Sequence, residues 1–187
     1  MLIRKTAVSA VLAAFFLTLL TAPDANAQEA QANADRAKNG GVMRSSRQIV
    51  TSSTFSPAVA EFLQRPLGSQ LVTLNPNDSP QVTIMWFKYE NGALLFTTTT
   101  DRIKFRNQQK NARASIAIMD PANMYKWVIV SGKLSVDDRD PAAFYRGLAE
   151  HYLDETGLAE WRKTAVMEKR TVLKLTPTQI RTMGFAP

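Results

Sequence analysis

The sequence lacks cysteine altogether and contains a single histidine, His151. Without cysteine there is no disulfide, no thiolate nucleophile and no cysteine-ligated metal or iron–sulfur cluster. The acidic residues Asp137, Asp138 and Asp140 are typical of a turn and a helix cap, and together with one histidine they do not make a spaced set of metal ligands. We therefore expect no metal site.

His151 is also isolated as a candidate for catalysis. It is predicted to lie on the polar side of a helix that begins at Pro141, and no serine or carboxylate pattern near it marks a hydrolase triad. A solvated surface histidine is the simpler interpretation. If the protein is an enzyme, its reactivity is therefore expected to come from a bound organic cofactor, which the protein binds and orients.

The first 27 residues have the composition of a secretory signal peptide. Arg4 and Lys5 precede an apolar run, and Ala25-Asn26-Ala27 supplies small residues for cleavage. The apolar run is short for a membrane span, which favours cleavage over an uncleaved membrane anchor. This predicts export to a periplasmic or secreted location and no stable membrane span in the mature chain, which would begin at Gln28.

The residues that follow divide into a leader and one domain. Residues 28–54 are polar, poor in aromatic side chains and contain Asn39-Gly40-Gly41, a composition typical of a flexible leader. Removal of the first 27 of the 187 residues leaves 160, which is enough for one domain with its own core. That domain is predicted to span residues 55–187.

Acidic residues are fewer than basic ones, 16 against 23, so the formal net charge is +7. Since Arg4, Lys5 and Asp24 are removed with the signal peptide, the mature chain carries +6. A charge of this size suits anionic ligands, phosphates or a membrane surface. A nucleic-acid partner is not expected, because the basic residues are dispersed over several elements and no nucleic-acid-binding motif is present.

Periodicity and turn signals predict a mainly β domain. The first three predicted strands follow one another as a meander, with a hairpin at Asn91-Gly92. Strands are predicted over residues 70–74, 81–89, 93–99, 114–119, 126–136, 171–175 and 179–183, and helices from Pro57 and over 101–111, 141–153 and 158–166. Many short strands with few helices favour an antiparallel β-barrel decorated by helices over a doubly wound α/β sheet.

The most informative segment connects the end of one predicted strand to the start of a helix. The strand ends in threonines at residues 97–99, and Arg102 and Lys104 lie in the first helical turn. Cations there oppose the positive end of the helix dipole, at a cost of about 0.3–1 kcal/mol each, which a bound anion would offset. Backbone N–H groups, threonine hydroxyls and two cations together would hold a phosphate. A solvated basic helix capped by Asp101 is the alternative that these residues leave open.

Four aromatic residues are placed where they would flank a planar ligand. Trp86 and Phe87 lie on one predicted strand, and Tyr125 and Trp127 on another. Aromatic residues at such positions more often belong to the core. Only their coincidence with the predicted phosphate site favours a ring-bearing ligand.

Five segments carry a resemblance to a known family. They are Pro80-Gln81-Val82-Thr83-Ile84-Met85-Trp86-Phe87, the hairpin into residues 93–98, Arg102-Ile103-Lys104-Phe105-Arg106-Asn107, Ala112-Arg113-Ala114-Ser115 and Trp127-Val128-Ile129-Val130-Ser131-Gly132. The chain resembles the pyridoxamine 5'-phosphate oxidase-like split β-barrel family over residues 62–184, and within it the deazaflavin-dependent branch that uses coenzyme F-420. The resemblance implies a mainly β fold, a split antiparallel β-barrel of the FMN-binding type with peripheral helices.

The resemblance also implies a homodimer whose two active sites lie at the subunit interface, each built from both chains. By the same resemblance Arg102 and Lys104 would hold the cofactor phosphate, and Gln81 would lie along the ring system. The residues implied to contact the cofactor are Arg102, Lys104, Thr97, Thr98, Thr99, Gln81, Thr83, Met85, Asn107, Tyr125 and Trp127. No catalytic residue is assigned.

The sequence therefore predicts an exported oxidoreductase that binds a deazaflavin, coenzyme F-420, and transfers a hydride to a small organic acceptor. FMN is the alternative cofactor on the same fold, because it needs the same phosphate site. A carrier or sensor that binds a flavin or tetrapyrrole without turnover is the alternative from a different class, since one fold hosts several functions.

Overall fold

The computed structural model describes residues 30–31, 34–35 and 48–185. The predicted signal peptide and most of the predicted leader lie outside these described residues. Residues 48–185 form β1 Val50–Ser52, α1 Pro57–Phe62, β2 Ser69–Leu74, β3 Pro80–Met85, β4 Lys88–Glu90, β5 Ala93–Thr99, α2 Ile103–Lys110, β6 Arg113–Asp120, β7 Asn123–Asp137, α3 Pro141–Tyr152, α4 Glu155–Thr164 and β8 Arg170–Met183. In the described part of the chain, no helix has the length and apolar character needed to cross a membrane.

The eight strands form one antiparallel sheet in the order β3-β2-β6-β7-β8-β5-β4, with β1 paired to β8 outside this path. Strands β3 and β4 are its two edges, although only Trp86 and Phe87 separate them in the chain. Such a link spans at most about 10 Å, so the two edges must meet there. The sheet is therefore curled into a barrel that stays split between β3 and β4. This confirms the predicted mainly β, split-barrel fold with peripheral helices.

The link between β3 and β4 corrects two predictions. The single strand predicted over residues 81–89 is wrong, because the chain leaves the sheet at Trp86 and Phe87. The three-stranded meander is wrong at the same point: β2 pairs with β3, and β4 pairs with β5 through the predicted hairpin, but β3 and β4 lie at opposite edges of the sheet. Hydrophobic alternation continues through the link, because Phe87 is buried and only 1% exposed. Periodicity therefore does not reveal the break.

At this link the hydroxyl of Tyr152 in α3 makes hydrogen bonds to the backbone that a neighbouring strand would otherwise make. Its hydroxyl donates to the carbonyl oxygen of Leu67 at 2.9 Å and accepts from the backbone N–H of Phe87 at 3.2 Å. Burial raises the pKa of Tyr152 to about 12, so the hydroxyl remains a donor at neutral pH. The ring of Trp86 stacks on that of Tyr152, with centroids 5.1 Å apart and 16° between the planes. Tyr152 therefore fixes the link between β3 and β4, where the barrel is split, and orients Trp86.

Substitution of Tyr152 by Phe is expected to lower the free energy of unfolding by about 2 kcal/mol, because a buried N–H and a carbonyl lose their partner. Denaturant titration at fixed protein concentration measures this loss. Tyr89→Phe is the matched control, since within residues 48–185 its hydroxyl makes no hydrogen bond. Equal stability losses in the two variants would contradict the role given to Tyr152.

Strand β8 corrects a third prediction. The two strands predicted over residues 171–175 and 179–183 are one strand, although Pro177 lies within it and proline cannot donate to a sheet ladder. The register of the neighbouring β7 shifts between Ser131 and Gly132, and Gly132 lies opposite Pro177. Since Ser131 pairs with Gln179 and Gly132 with Pro177, the extra residue of this bulge is Thr178 of β8. The bulge accommodates the proline, and β8 continues beyond it.

Two apolar clusters fill the fold on either side of β5. The larger one fills the barrel and includes Leu94 and Phe96, both fully buried. The smaller one packs Leu95 against Phe144 and Leu148 of α3. Because β5 is buried on both faces, its end is held rigidly, as a binding site on a strand requires.

Candidate functional site

The end of β5, the start of α2, strand β3 and the start of β8 surround one cleft of about 320 Å³, here called the basic cleft. Its lining residues are Thr83, Ile84, Met85, Trp86, Thr97, Thr98, Thr99, Arg102, Lys104, Tyr145 and Arg170. Seven of the eleven residues predicted to bind the cofactor are among them. The curled sheet therefore brings together residues that lie on separate strands and on a helix.

The start of α2 leaves its first turn uncapped. Arg102 is the N-cap residue, and its side chain makes no capping hydrogen bond. Asp101, the alternative cap, instead accepts a hydrogen bond from the hydroxyl of Thr99, and this bond holds the pKa of the Asp101 carboxyl below its usual range. The predicted cap by Asp101 is therefore wrong. The N–H of Phe105 donates to the carbonyl oxygen of Arg102 at 3.1 Å, whereas the backbone N–H groups of Ile103 and Lys104 remain available to a ligand.

Lys104 has a largely buried side chain and no counterion among the described residues. The residue is only 9% exposed. Burial, and to a smaller extent the positive charge of Arg102, lowers the pKa of the Lys104 ammonium group below its usual value. Within residues 48–185 its ammonium group makes no hydrogen bond and no ion pair. A buried, unpaired charge costs free energy, which an anion in the cleft would offset.

Arg170 is a third cation of the basic cleft, which the sequence analysis missed. Its guanidinium stacks over the ring of Tyr145, 3.6 Å from the centroid, and its Nε donates to the carbonyl oxygen of Val166 at 2.7 Å. Its Nη1 donates to the hydroxyl of Thr97 at 3.3 Å. Arg170 lies beside Thr99 because β8 pairs with β5. This pairing of distant segments has no local signal in the sequence.

Two predicted residues, Gln81 and Asn107, lie behind the lining of the cleft. The amide of Gln81 donates to the hydroxyl of Thr83 at 2.6 Å and accepts from the hydroxyl of Thr73 at 3.0 Å. Asn107 is 3% exposed and donates to Thr73 at 3.2 Å and to Asn75 at 3.1 Å. This network holds β3 and α2, two walls of the cleft, against β2.

The other two predicted residues, Tyr125 and Trp127, lie on β7 and do not line the basic cleft of this chain. Trp127 pairs with the exposed Met119 of β6, while the next residue, Val128, is buried. Since side chains alternate across a strand, Trp127 belongs to the outer face of the sheet. The structure therefore separates the predicted site residues into a cleft group and an outer-face group.

Comparisons with known proteins place this fold in a family. The family model described as pyridoxamine 5'-phosphate oxidase matches residues 55–184. No curated protein sequence matches the chain. Among solved structures, an F-420 reductase is 31% identical with a TM-score of 0.58, and the alignment covers 67% of this chain and 98% of that chain.

Two further solved structures share the fold at lower identity. A conserved hypothetical protein from Mycobacterium tuberculosis is 20% identical with a TM-score of 0.56, over 71% of this chain and 88% of that chain. A heme binding protein from Mycobacterium smegmatis is 22% identical with a TM-score of 0.51, over 70% of this chain and 55% of that chain. The family match spans strands β2 to β8 and every residue of the basic cleft, so the chain belongs to the pyridoxamine 5'-phosphate oxidase-like family of flavin- or deazaflavin-dependent oxidoreductases.

Proposed function

We propose that the basic cleft binds the phosphate of coenzyme F-420 and that the protein transfers a hydride between this deazaflavin and a small organic acceptor. The observation that carries the proposal is the largely buried side chain of Lys104, which lines the cleft and whose ammonium group lacks a counterion in the described part of the chain. The donor set fits a phosphate, since Arg102, Arg170 and threonine hydroxyls line the same cleft. The similarity to an F-420 reductase supports the deazaflavin over FMN.

The same cleft offers a wall for a planar ring. Thr83, Met85 and Trp86 line it on the side of β3, and the stacking of Trp86 on Tyr152 holds that wall in one orientation. A volume of about 320 Å³ is within the range of small-molecule sites. Ring and phosphate subsites are therefore adjacent in one cleft.

In this proposal the residues of the chain bind and orient. A bound deazaflavin supplies hydride chemistry, which no protein side chain offers. Lys104 and Arg102 anchor the phosphate, and the wall at Trp86 fixes the ring and excludes water from one side. Among the described residues that line the cleft there is no carboxylate and no histidine. The site therefore accelerates transfer by positioning its reactants.

Parallel titrations with oxidised coenzyme F-420 and with FMN test this proposal, with absorbance and fluorescence as readouts. Saturable binding of the deazaflavin, tighter than that of FMN, is expected. Preference for FMN would overturn the choice of cofactor. If neither compound binds, the proposed function is wrong, and a tetrapyrrole titration tests the carrier or sensor alternative.

A homodimer is part of the proposal. Val82 and Ile84 of β3 and Met119 of β6 lie on the outer face of the sheet and are 57%, 70% and 46% exposed. Ile84 also lines the basic cleft, so this apolar face begins at the rim of the site. A second copy packed on the face would cover the apolar side chains and bring its own residues to the cleft. Tyr125 and Trp127 are proposed to border the ligand pocket through this interface.

Ile84→Lys is expected to convert the dimer to a monomer, because a charge would have to be buried without a partner. Size-exclusion chromatography with light scattering measures the mass. Val136→Lys is the control, since Val136 is similarly exposed, at 50%, but lies beyond the end of the β6–β7 pairing. A monomeric parent protein, or an Ile84→Lys dimer, would contradict the proposed interface.

Export is also proposed, on the composition of the first 27 residues alone. Cleavage after Ala27 would produce a mature chain that begins at Gln28. N-terminal sequencing of the protein recovered outside the cytoplasm tests this. An intact N-terminus on cytoplasmic protein would contradict it.

A further inference from the structure

Thr83 is the last member of a chain of hydrogen-bonded side chains that runs from the turn between β2 and β3 to the basic cleft. The members of the chain, in order, are Asn77, Ser79, Asn75, Asn107, Thr73, Gln81 and Thr83. Of these seven residues, Thr83 alone lines the cleft. The direction in which the protons are donated along the chain therefore decides what Thr83 offers to a ligand.

A backbone N–H fixes this direction at the far end of the chain. The N–H of Ser79 donates to the side-chain oxygen of Asn77 at 3.2 Å, and the hydroxyl of Ser79 donates to the same oxygen at 2.7 Å. Because its single proton is used there, that hydroxyl accepts from the side-chain nitrogen of Asn75 at 3.0 Å. The side-chain oxygen of Asn75 therefore faces Asn107, whose side-chain nitrogen donates to it at 3.1 Å.

A backbone carbonyl fixes the direction at the near end. The amide nitrogen of Gln81 donates to the carbonyl oxygen of Val82 at 3.0 Å, and a carbonyl oxygen can only accept. The same nitrogen donates to the hydroxyl of Thr83 at 2.6 Å, and the amide oxygen of Gln81 accepts from Thr73 at 3.0 Å. Thr73 in turn accepts from Asn107 at 3.2 Å. Both ends therefore impose one direction of donation, which leads to Thr83.

The middle of the chain is buried, which maintains this direction. Thr73 is 0% exposed and Asn107 is 3% exposed, so solvent does not supply replacement partners to these side chains. Reversing one link would place two donors or two acceptors against each other in a medium of low dielectric constant. The hydroxyl of Thr83 accepts from Gln81, and within residues 48–185 it donates to no protein group. Its proton is therefore left for a ligand in the cleft.

We propose that Thr83 is a one-way hydrogen-bond donor to the ring system bound in the basic cleft. Gln81, Thr73 and Asn107 act as positioning residues, which direct the proton of Thr83 into the cleft. The ring edge that meets β3 must then carry an acceptor, a carbonyl oxygen or an unprotonated ring nitrogen. A ring N–H at that edge is rejected, because two donors would face each other without a partner. This inference rests on the proposed function, in which β3 supplies the wall for the ring.

The experiment measures the dissociation constant of oxidised coenzyme F-420 for the parent protein and its variants by fluorescence titration. Thr83→Val keeps the shape of the side chain and removes the hydroxyl, and it is expected to weaken binding about fivefold, the scale of one hydrogen bond. Thr83→Ser keeps the hydroxyl and is the matched control, with an expected change of less than twofold. Equal weakening by the two variants, or no weakening by Thr83→Val, would overturn the proposal.

Gln81→Glu tests the direction of the chain. A carboxylate at residue 81 accepts the proton of Thr83, so the hydroxyl turns away from the ligand. Adding Thr83→Val to the Gln81→Glu protein is therefore expected to change binding less than twofold. The comparison of Thr83→Val in the two backgrounds removes the effect of the added charge. A fivefold effect of Thr83→Val that persists in the Gln81→Glu protein would refute the positioning role of Gln81.

Failure of the proposed function gives a different result. In that case Lys104→Met leaves the affinity for coenzyme F-420 unchanged, or neither this compound nor FMN binds. Failure of the present inference alone leaves the effect of Lys104→Met intact and abolishes that of Thr83→Val. Neutron diffraction from the ligand-free protein determines the direction of the chain without a cofactor. A deuterium on Oγ1 of Thr83 that points towards Gln81 would contradict the proposal.

Discussion

Replacing Lys104 by methionine is expected to weaken binding of a phosphate-bearing cofactor by about 1.5–3 kcal/mol, or roughly 10- to 150-fold. Methionine keeps a long apolar stem and removes the ammonium group of a largely buried side chain that lines the basic cleft. Fluorescence titration of the parent and variant proteins gives the two dissociation constants. Arg102→Ala is expected to weaken binding on the same scale, because Arg102 lines the same cleft.

Lys110→Met is the control for total charge, since Lys110 is exposed in the last turn of the same helix. It is expected to change binding less than twofold. The ligand-free Lys104→Met protein is expected to be at least as stable as the parent, because a desolvated cation without a partner is removed. Unchanged affinity in both the Lys104 and Arg102 variants would refute the phosphate site.

The pH dependence of binding distinguishes a charge effect from a packing effect. Only the ammonium form of Lys104 attracts an anion, and burial lowers the pKa of this group below its usual value of 10.5. Affinity of the parent protein is therefore expected to fall as the pH rises through that lowered pKa. The Lys104→Met protein should lose this part of the pH profile, which affinities measured across the alkaline range would show.

Gly132→Ala is expected to lower the free energy of unfolding by about 3 kcal/mol, the upper range for an overpacked site. A Cβ at this position would lie 2.1 Å from the carbonyl oxygen of Thr176 and 3.1 Å from the Cα of Pro177. Both neighbours are backbone atoms of β8, so no side chain can rotate away. Urea titration monitored by tryptophan fluorescence, at one protein concentration, measures the change.

Gly147→Ala provides a control with the opposite sign. Gly147 lies within α3, and a Cβ there would meet no atom within 4 Å. Alanine is favoured over glycine in a helix by about 0.5–1 kcal/mol, so this variant should be more stable than the parent. A Gly132→Ala protein as stable as the parent would show that β7 and β8 separate more easily than their pairing indicates.

The secondary structure of residues 48–185 was largely predictable, because its signals are local. The helix that begins at Pro57 follows from Ser56, whose side chain caps it, and α3 follows from the Asp140 cap in the same way. Strand β5 follows from a continuous apolar run. The errors lie at residues 50–52, at Trp86-Phe87 and at Pro177. Residues 50–52 were predicted as part of the leader but form β1, which pairs with β8. At the other two positions the hydrogen bonds that decide the strand bounds come from distant residues.

The candidate site was predictable only in part, for a related reason. A run of threonines followed by Arg102 and Lys104 is a local pattern, and it predicts a phosphate site because cations and N–H groups at a helix start attract an anion. Arg170 and Tyr145 come from β8 and α3, and they reach the cleft only through pairing and packing over long separations. Charge alone does not distinguish Arg170 from the other basic residues of the chain.

The sequence by itself determined the absence of thiol chemistry, the strand and helix segments, and the basic step between β5 and α2. Each of these depends on residue type or on spacing within one element. The tertiary structure alone decided that β3 and β4 meet at the split of the barrel, that the side chain of Lys104 is largely buried with no counterion among the described residues, and that Arg170 reaches the basic cleft. These features depend on which distant strands pair and on which side chains are buried. Neither can be predicted from the periodicity of a local segment.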